Sequence, residues 1–396
     1  MTPSHPHHAV IPYEPGAWPE ALRRIARPEV LERWGAADRS PHAPRLVAVP
    51  DGDGDGGWAA AALVTARPGT AYVKIVDAVG DVPKAAEAVV SYAYEQGLVQ
   101  VKWEGWTASA EDADAAGFAP LRLPLARPHG PGGPGSGYVR RLGRADALAE
   151  EKNVPAEADV LAEADGLAEA ADVLAEAGTL AGEGLAEPPY YRQSTDFTCG
   201  AVTALVAQAQ AGAESPESLD RPAELTLWRD ATNFPACEPV GLGVAVRRRW
   251  PLSPVEVFLD TDEPVLLDHL SGSEREWRAV LQRASRADAG QSGVPIEARR
   301  LSLAGLRSAV GRREHVLLLV SLAVMQGFDV PHWVLCHGVV PGAVVVEDPW
   351  FNTAAGESWV DAHLLPVPDA SLDAMSLVGE GRVRGAVRIG RPGRSC

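Results

Sequence analysis

Residues 191–202 read YRQSTDFTCGAV and lead into a segment, 201–211, that is almost entirely small or apolar. An apolar segment without a polar face is typical of a buried helix. Cys199 therefore stands at the first turn of that helix, with Thr198 as a candidate N-cap. The positive end of a helix dipole favours a thiolate, the form of cysteine that acts as a nucleophile. The stretch thus predicts a reactive cysteine at the start of a buried helix.

A second apolar region, late in the chain, predicts a β-hairpin. Residues 331–340 and 343–350 are two apolar segments joined by a Pro-Gly turn. Because His332 and Asp348 are almost equally far from that turn, pairing of the strands brings both side chains to the open end of the hairpin. We expect them to lie within a residue or two of register.

Four polar residues of these two regions suit one kind of chemistry when they are taken together. They are Gln193, Cys199, His332 and Asp348. A cysteine nucleophile needs a base, and the base needs a partner that orients it. His332 fits the base and Asp348 the orienting partner of Cys199, while the Gln193 amide could donate an N–H to a developing oxyanion. Each residue alone is a weak signal, and their joint occurrence in this order is what points to nucleophilic catalysis.

The spacing Gln-x(5)-Cys-Gly, then His-Trp-Val, then Asp-Pro resembles cysteine peptidase family 39, over about residues 188–390. These are papain-like proteases, typified by domains that cut double-glycine leaders from bacteriocin precursors. The resemblance implies Cys199 as nucleophile, His332 as general base, Asp348 as third member and Gln193 as oxyanion donor. Those processors are usually fused to a transporter and an ATPase, neither of which is found in this sequence. The resemblance therefore implies peptidase chemistry on a peptide or protein, and no particular substrate.

Other residues compete for the same roles. Cys336 shares a strand face with His332, but a mid-strand thiol is expected to be an inert core residue. Asn352 could replace Asp348 as the orienting group, although it falls beyond the strand end. Cys237 lies in a predicted loop, where lining the substrate groove and plain packing are both open.

Residues 10–143 predict a small α/β unit. Turn residues separate short runs rich in β-branched residues from helical segments. The predicted strands are 45–49, 58–65, 70–76, 99–103 and 118–123, and the predicted helices are 82–96 and 108–116.

This order of elements is similar to the acetyl-CoA-dependent N-acetyltransferase (GNAT) fold, as is the segment 115–118, AAGF. Those enzymes cradle a pyrophosphate in a glycine-rich turn at a helix start. Here the corresponding segment 78–84, AVGDVPK, has one glycine, an acid at Asp81 and, at Pro83, a residue without an N–H. We therefore expect a degenerate GNAT-like domain that does not bind acetyl-CoA, or else an α/β domain of another ancestry.

The charge of the chain is concentrated between these two regions. Eleven acidic residues and one lysine fall between positions 150 and 187, so this segment carries −10 of the net charge of −17. It repeats DVLAEA at 159–164 and 172–177 and has no aromatic residue, which is typical of a solvated, partly helical spacer. The predicted organisation is a GNAT-like domain at 1–144, an acidic Ala/Glu-rich linker at 145–187 and a papain-like peptidase domain at 188–396.

Composition and charge narrow the remaining function classes. A net charge of −17 argues against nucleic-acid binding. The longest apolar run, 316–324, is too short to span a bilayer, and no signal peptide precedes it, so a cytoplasmic location without membrane contact is expected. The four cysteines have no metal-ligand spacing. We expect no metal and no cofactor. The resemblance described above is to bacterial proteins, and the Ala-, Gly- and Pro-rich composition indicates a high-GC genome.

The sequence therefore predicts an α+β chain in which a papain-like domain follows a small α/β unit. Its expected activity is thiol-dependent hydrolysis of a peptide bond, which could process a peptide precursor. A related acyl transferase would pass through the same thioester. Two other classes remain: a non-catalytic module for peptide binding or maturation, and an N-acetyltransferase regulated by its C-terminal domain.

Overall fold

A computed structural model of the chain describes residues 7–52, 56–106, 109–125, 135–142, 187–231 and 236–392. The predicted acidic linker lies outside the described residues, apart from Glu187 at its end, and so does Cys396. The described residues contain two seven-stranded sheets, each with parallel and antiparallel neighbours, and helices that pack on them. The predicted α+β class is confirmed.

The first sheet is built from residues 9–141. Its strands are β1 (Ala9–Pro12), β2 (Arg45–Pro50), β3 (Trp58–Thr65), β4 (Tyr72–Gly80), β5 (Gln100–Glu104), β6 (Ala119–Pro120) and β7 (Gly137–Arg141). They lie in the order β1-β2-β3-β4-β5-β7-β6, and the β4–β5 pair is parallel. Strand β3 has the predicted bounds, whereas the strand predicted at 118–123 is only the two-residue β6. Strand β7 was not predicted.

Helices cover both faces of this sheet. They are α1 (Glu20–Ile25), α2 (Pro28–Gly35), α3 (Val82–Glu95) and α4 (Ala110–Ala115). Helix α3 packs on one face, and α1 and α2 pack on the other. Strand β3, WAAAALVT, is apolar at successive positions because a strand covered on both sides presents no face to water.

The second sheet is built from the C-terminal part of the chain. Its strands are β8 (Val255–Leu259), β9 (Ile296–Glu297), β10 (His315–Ser321), β11 (Pro331–Val340), β12 (Ala343–Glu347), β13 (Leu365–Pro368) and β14 (Gly385–Ile389). Their order is β13-β12-β11-β10-β14-β8-β9. The predicted hairpin is β11 and β12, paired antiparallel with a register shift between Cys336 and Gly338.

Further helices surround the second sheet. They are α5 (Cys199–Gln210), α6 (Arg221–Ala231), α7 (Pro239–Arg249), α8 (Gly272–Ser292), α9 (Leu303–Gly311), α10 (Ala323–Gln326), α11 (Trp359–Ala362) and α12 (Asp369–Met375). Helices α5 and α7 share a core with one face of the sheet, and α9 and α12 share a core with the other. Among the described residues, no helix is long and apolar enough to cross a membrane.

The two sheets are in direct contact. Tyr72 of β4 is part of the core that α9 and α12 form with the second sheet. The Ala71 amide donates to the Pro366 carbonyl across the contact, at 2.9 Å. At Gly137, in β7, a Cβ atom would lie 2.7 Å from the side chain of Val360 in α11. These two segments therefore approach too closely there for any residue larger than glycine. The first sheet is therefore packed tightly against the second.

Candidate active site

Cys199 is the first residue of helix α5, as predicted, and α5 is buried almost along its whole length. The cysteine side chain itself is only 3% exposed. Thr198 occupies the N-cap position, but its hydroxyl makes no hydrogen bond to the helix amides that the structure describes. The predicted N-cap position of Thr198 is confirmed, but its hydroxyl is bound to Glu224 and to the Thr195 carbonyl instead of to the helix amides.

The segment that leads to Cys199 is held by a buried carboxylate from helix α6. Glu224 is fully buried and accepts hydrogen bonds from the Tyr191 hydroxyl at 3.0 Å and the Ser194 amide at 2.7 Å. It also accepts the bond from the Thr198 hydroxyl. One side chain thus fixes three points of the eight residues before the cysteine. Sequence reasoning missed Glu224, because a glutamate in an amphipathic helix resembles a surface residue.

Gly200 explains why the cysteine is followed by glycine. A Cβ atom at this position would lie 3.1 Å from the Cys237 Cβ and 3.1 Å from the Trp333 ring. Trp333 in turn donates from Nε1 to the Cys237 carbonyl at 3.0 Å. The absence of a side chain at Gly200 lets strand β11 approach the start of helix α5, which places His332 beside Cys199.

His332 and Asp348 come from the two strands of the hairpin. Strand pairing sets Leu335 opposite Glu347, so Asp348, one residue further on, falls two positions from the residue opposite His332. This is the predicted offset. The His332 Nε2 atom lies 2.8 Å from Asp348 Oδ1, and both side chains are buried. The remaining ring nitrogen, Nδ1, is not used by Asp348, and Cys199 lies close enough to the imidazole to raise its pKa.

The charges around the imidazole favour its protonated form. Burial opposes a charge on His332, but the Asp348 carboxylate and Cys199 outweigh it and raise the pKa of His332 to about 10. Burial alone would raise the pKa of Asp348, yet His332 and Arg67 lower it below its usual range. At neutral pH the pair is therefore an imidazolium and a carboxylate. An imidazolium against a cysteine is the setting in which a thiolate acts as nucleophile.

Gln193 is buried in the loop that precedes Cys199. The Nε2 atom of its side-chain amide donates one hydrogen bond, to the Thr195 carbonyl in the same loop, at 2.7 Å. Its Oε1 atom has no hydrogen-bond partner among the described residues. The backbone N–H of Gln193 donates to the Pro349 carbonyl, next to Asp348, at 2.9 Å. The second hydrogen of the side-chain amide is left over for a further acceptor.

Asp348 has another partner, which comes from the first sheet. Arg67, in the turn between β3 and β4, is fully buried and donates from Nη1 to Asp348 Oδ2 at 2.6 Å. The same guanidinium binds both oxygens of Glu357. Burial opposes its charge, but Glu357 and Asp348 raise the pKa of Arg67 further above its ordinary value. Sequence reasoning missed Arg67, since an arginine in a Pro-Gly turn carries no signal of a partner far along the chain.

The competing residues have other roles. The Asn352 side chain accepts from the Ala355 amide at 3.3 Å and caps a short 3₁₀ turn. Cys336 is fully buried in the core, and burial raises the pKa of its thiol. Cys237 is also buried, against Gly200, and burial raises its pKa as well. Its position supports the packing interpretation over the groove interpretation.

A cavity of about 210 Å³ reaches Cys199 from one side. It lies between the start of helix α5 and helix α8, and Phe197, Leu281 and Val330 make much of its wall apolar. Leu266, also in the wall, has a positive φ of 59°, which is an uncommon backbone conformation for a leucine. A ligand in this cavity would meet the sulfur of an otherwise buried cysteine.

The start of helix α3, in the N-terminal α/β unit, lacks the features of a phosphate-binding site. Asp81 is the N-cap of helix α3, and its carboxylate accepts from the Lys84 amide at 3.2 Å. Pro83 contributes no N–H at this end. A carboxylate already holds the position where an anionic ligand would bind. Within the described residues no group of three or more His, Cys, Asp or Glu side chains could hold a metal ion.

Comparisons with known proteins give a family for the C-terminal part of the chain. Residues 188–390 match a protein family described as "Peptidase_C39 like family". No curated protein matches the chain. Among solved structures, the chain has a likeness to an acetyltransferase of the GNAT family from Staphylococcus aureus Mu50. That likeness has 13% identity and a TM-score of 0.25, over 35% of this chain and 100% of the other.

Proposed function

The chain belongs to the Peptidase_C39-like family, and on this premise we propose that it is a cysteine peptidase whose nucleophile is Cys199. The observation that carries the proposal is the buried His332–Asp348 pair, 2.8 Å apart, whose imidazole is close enough to Cys199 for the cysteine to raise its pKa. In this proposal residues 188–396 form the peptidase-like unit. Residues 1–144 form the unit packed against it, and 145–187 joins the two.

The proposed reaction begins with attack of the Cys199 thiolate on a peptide carbonyl carbon. The carbonyl electrons move to oxygen, where the free hydrogen of the Gln193 amide and backbone N–H groups at the start of α5 stabilise the negative charge. As the C–N bond breaks, the His332 imidazolium gives its proton to the leaving amine, and a thioester remains. The neutral imidazole then takes a proton from water, whose oxygen attacks the thioester and releases the acid and the thiolate.

Asp348 keeps the imidazole in the required orientation throughout this cycle. Its Oδ1 atom accepts from His332 Nε2 and also from the Trp350 amide at 2.9 Å, so the carboxylate cannot swing freely. With Nε2 occupied, Nδ1 is the nitrogen that exchanges a proton with the sulfur and the substrate. The carboxylate also stabilises the imidazolium that the cycle needs before the amine leaves.

The first unit takes no part in acetyl transfer in this proposal. The Asp81 carboxylate at the start of α3 repels the pyrophosphate of acetyl-CoA at the point where a helix N-terminus would otherwise bind it. Its contribution is the contact with the second sheet described above.

The experiment is digestion of a peptide library made from a bacterial proteome, with mass spectrometry of the new termini. The wild-type protein is expected to produce new peptide ends that Cys199→Ala does not produce. Cys336→Ala is the matched control, because it removes a buried thiol far from the imidazole and is expected to keep the activity. Identical peptide ends from wild type and Cys199→Ala would refute the proposal.

A further inference from the structure

The first sheet supplies a side chain to the candidate triad. We propose that Arg67 is a positioning residue that holds Asp348 and, through it, His332, so that the peptidase-like site is complete only when both units are present. The inference rests on the proposed function and goes beyond it, because it assigns part of the site to the GNAT-like unit. Neither the family match nor the candidate triad includes this residue.

The backbone around Arg67 is fixed on both sides. The Ala66 amide donates to the His42 carbonyl at 3.0 Å, and the Thr70 hydroxyl donates to the Arg67 carbonyl at 2.7 Å. At Gly69 the backbone has a positive φ of 72°, and a Cβ atom there would lie 2.5 Å from the Val324 side chain. The turn is thus packed tightly against the second sheet and its helices, so the Arg67 backbone has little freedom to move.

The far side of the guanidinium is also held. Glu357 accepts from Arg67 Nη2 at 2.9 Å and, through its other oxygen, from Nε. Glu357 is itself held by the Asn352 amide at 2.7 Å and by the Gln326 side chain at 3.1 Å. A planar guanidinium that is bidentate on one carboxylate presents its remaining nitrogen in a fixed direction. That nitrogen, Nη1, is the one that binds Asp348 Oδ2.

Asp348 therefore has a separate partner for each oxygen. Oδ2 accepts from Arg67, while Oδ1 accepts from His332 and from the Trp350 amide. The Tyr190 ring also faces Asp348, and burial together with Asp348 raises the pKa of the Tyr190 hydroxyl, so the hydroxyl stays neutral. Arg67 is the cation that compensates the carboxylate without competing for the oxygen that His332 uses.

Other contacts between the two sheets do not involve Asp348, so they can be altered without breaking the Arg67–Asp348 pair. The Tyr72 hydroxyl donates to Asp361 Oδ1 at 2.8 Å, and Lys74 bridges Glu104 and Asp361. These groups are buried at the same contact, but none of these bonds reaches Asp348. Removing the Tyr72 hydroxyl perturbs the interface and leaves the Arg67–Asp348 pair in place.

The test compares Arg67→Met, Arg67→Lys and the control Tyr72→Phe in the full chain, each checked for a cooperative thermal transition. The readout is the rate of Cys199 alkylation by iodoacetamide against pH, followed by peptide mass spectrometry. Without its cation, Asp348 takes up a proton at higher pH and loosens the imidazole. The acid limb of the Arg67→Met profile is expected to move up by about one unit, which lowers the rate on that limb about tenfold.

The conservative variants make the outcome decisive. Arg67→Lys keeps a buried cation but lacks the planar fork, and its profile is expected between those of wild type and Arg67→Met. Tyr72→Phe is expected to follow the wild type. A folded Arg67→Met with the wild-type profile would overturn the inference. If Arg67→Met does not fold, a wild-type profile for Arg67→Lys overturns it instead.

The failure of this inference can be told from the failure of the proposed function. If wild-type Cys199 reacts as an isolated thiol, indifferent to His332, the proposed function fails and takes the inference with it. If wild-type reactivity depends on His332 but the Arg67 variants retain it fully, only the inference fails. A purely structural role for Arg67 would lower the melting temperature without moving the acid limb.

Discussion

Arg67 and Asp348 are 281 residues apart in the sequence and 2.6 Å apart in the structure. The arginine belongs to the first sheet and the aspartate to the end of a strand of the second, so the contact joins the two units at the candidate active site. Because both side chains are fully buried, neither charge is compensated by water. The candidate site and the contact between the sheets are therefore one arrangement of buried charges.

Replacing Asp348 by Asn tests the carboxylate from the other side. The variant leaves Arg67 with one buried carboxylate instead of two and takes the negative partner from His332. Breaking a buried ion pair in this way costs about 3–5 kcal/mol of unfolding free energy. We expect that loss in urea titrations, together with loss of rapid Cys199 alkylation below neutral pH.

The control for this variant is Asp369→Asn. Asp369 pairs with Arg307 at 2.8 Å, but both side chains are 29% exposed. Water already compensates such charges, so the expected cost is below about 1 kcal/mol. An Asp348→Asn protein as stable and as reactive as the control would contradict the account.

Gly200→Ala tests the close approach that places His332 beside Cys199. A methyl group there meets Cys237 and Trp333 at 3.1 Å, so strand β11 must move by a few tenths of an ångström. Overpacking of this kind costs about 1–3 kcal/mol. Differential scanning calorimetry measures the loss, and Cys199 alkylation should slow because the imidazole moves with the strand.

Gly290→Ala is the matched control, since it also lies within a helix. Apart from its chain neighbours and the backbone of its own helix turn, no described atom would lie within 4 Å of its Cβ atom. Alanine is a better helix former than glycine, so a gain of up to about 1 kcal/mol is expected. Equal effects of the two substitutions would mean that the approach at Gly200 is not tight.

Glu224→Gln tests the clamp on the segment before Cys199. Glu224 accepts three hydrogen bonds, and in the variant the three donors would have to share one uncharged amide oxygen. Hydrogen bonds to a charged group contribute about 1.5–3 kcal/mol each. We expect at least about 2 kcal/mol of destabilisation, measured by urea unfolding. The exposed Glu217, changed to Gln, should unfold at the same urea concentration as wild type. Similar stabilities for both variants would contradict the clamp.

His315 predicts a pH dependence of stability. Burial, with a smaller effect of His337, lowers the pKa of His315 to about 4, whereas the unfolded chain has a value near ~6.5. The unfolded state therefore binds a proton first, and stability is lost as the pH falls from 6.5 towards 4. At pH 5 this loss reaches about 2 kcal/mol.

The measurement compares wild type with His315→Gln in urea titrations at pH 7 and pH 5. The variant cannot take up that proton, so its stability should fall less between the two values. His7→Gln, at an exposed position, should retain the full wild-type difference. A wild-type difference in His315→Gln as well would show that His315 is not the group responsible.

Local signals in the sequence were enough to predict the helix and the hairpin that carry the candidate site. The apolar segment after Cys199 predicted helix α5, and the Pro-Gly turn predicted the hairpin that brings His332 to Asp348. These features depend on neighbours in sequence, where periodicity and turn chemistry act. The same is true of strand β3, whose bounds were predicted without error.

The parts that were missed depend on distant residues. Arg67 and Glu224 acquire their roles only from partners that the fold brings together. Thr198 was expected to cap its helix, but a carboxylate from α6 competes for the hydroxyl. Strand β7 follows a stretch rich in glycine and proline that carries little strand signal, and it forms because β5 offers it an edge.

The most direct test of the central claim is the rate of Cys199 alkylation by iodoacetamide against pH, in wild type and in His332→Ala. An isolated cysteine thiol has a pKa near ~8.5 and reacts slowly below it. Peptide mass spectrometry identifies the modified residue, and Cys237 and Cys336 serve as internal controls. The account predicts rapid alkylation of wild-type Cys199 well below that pH and its loss in His332→Ala. A wild-type thiol that titrates normally, or does not react, and is indifferent to His332 would contradict it.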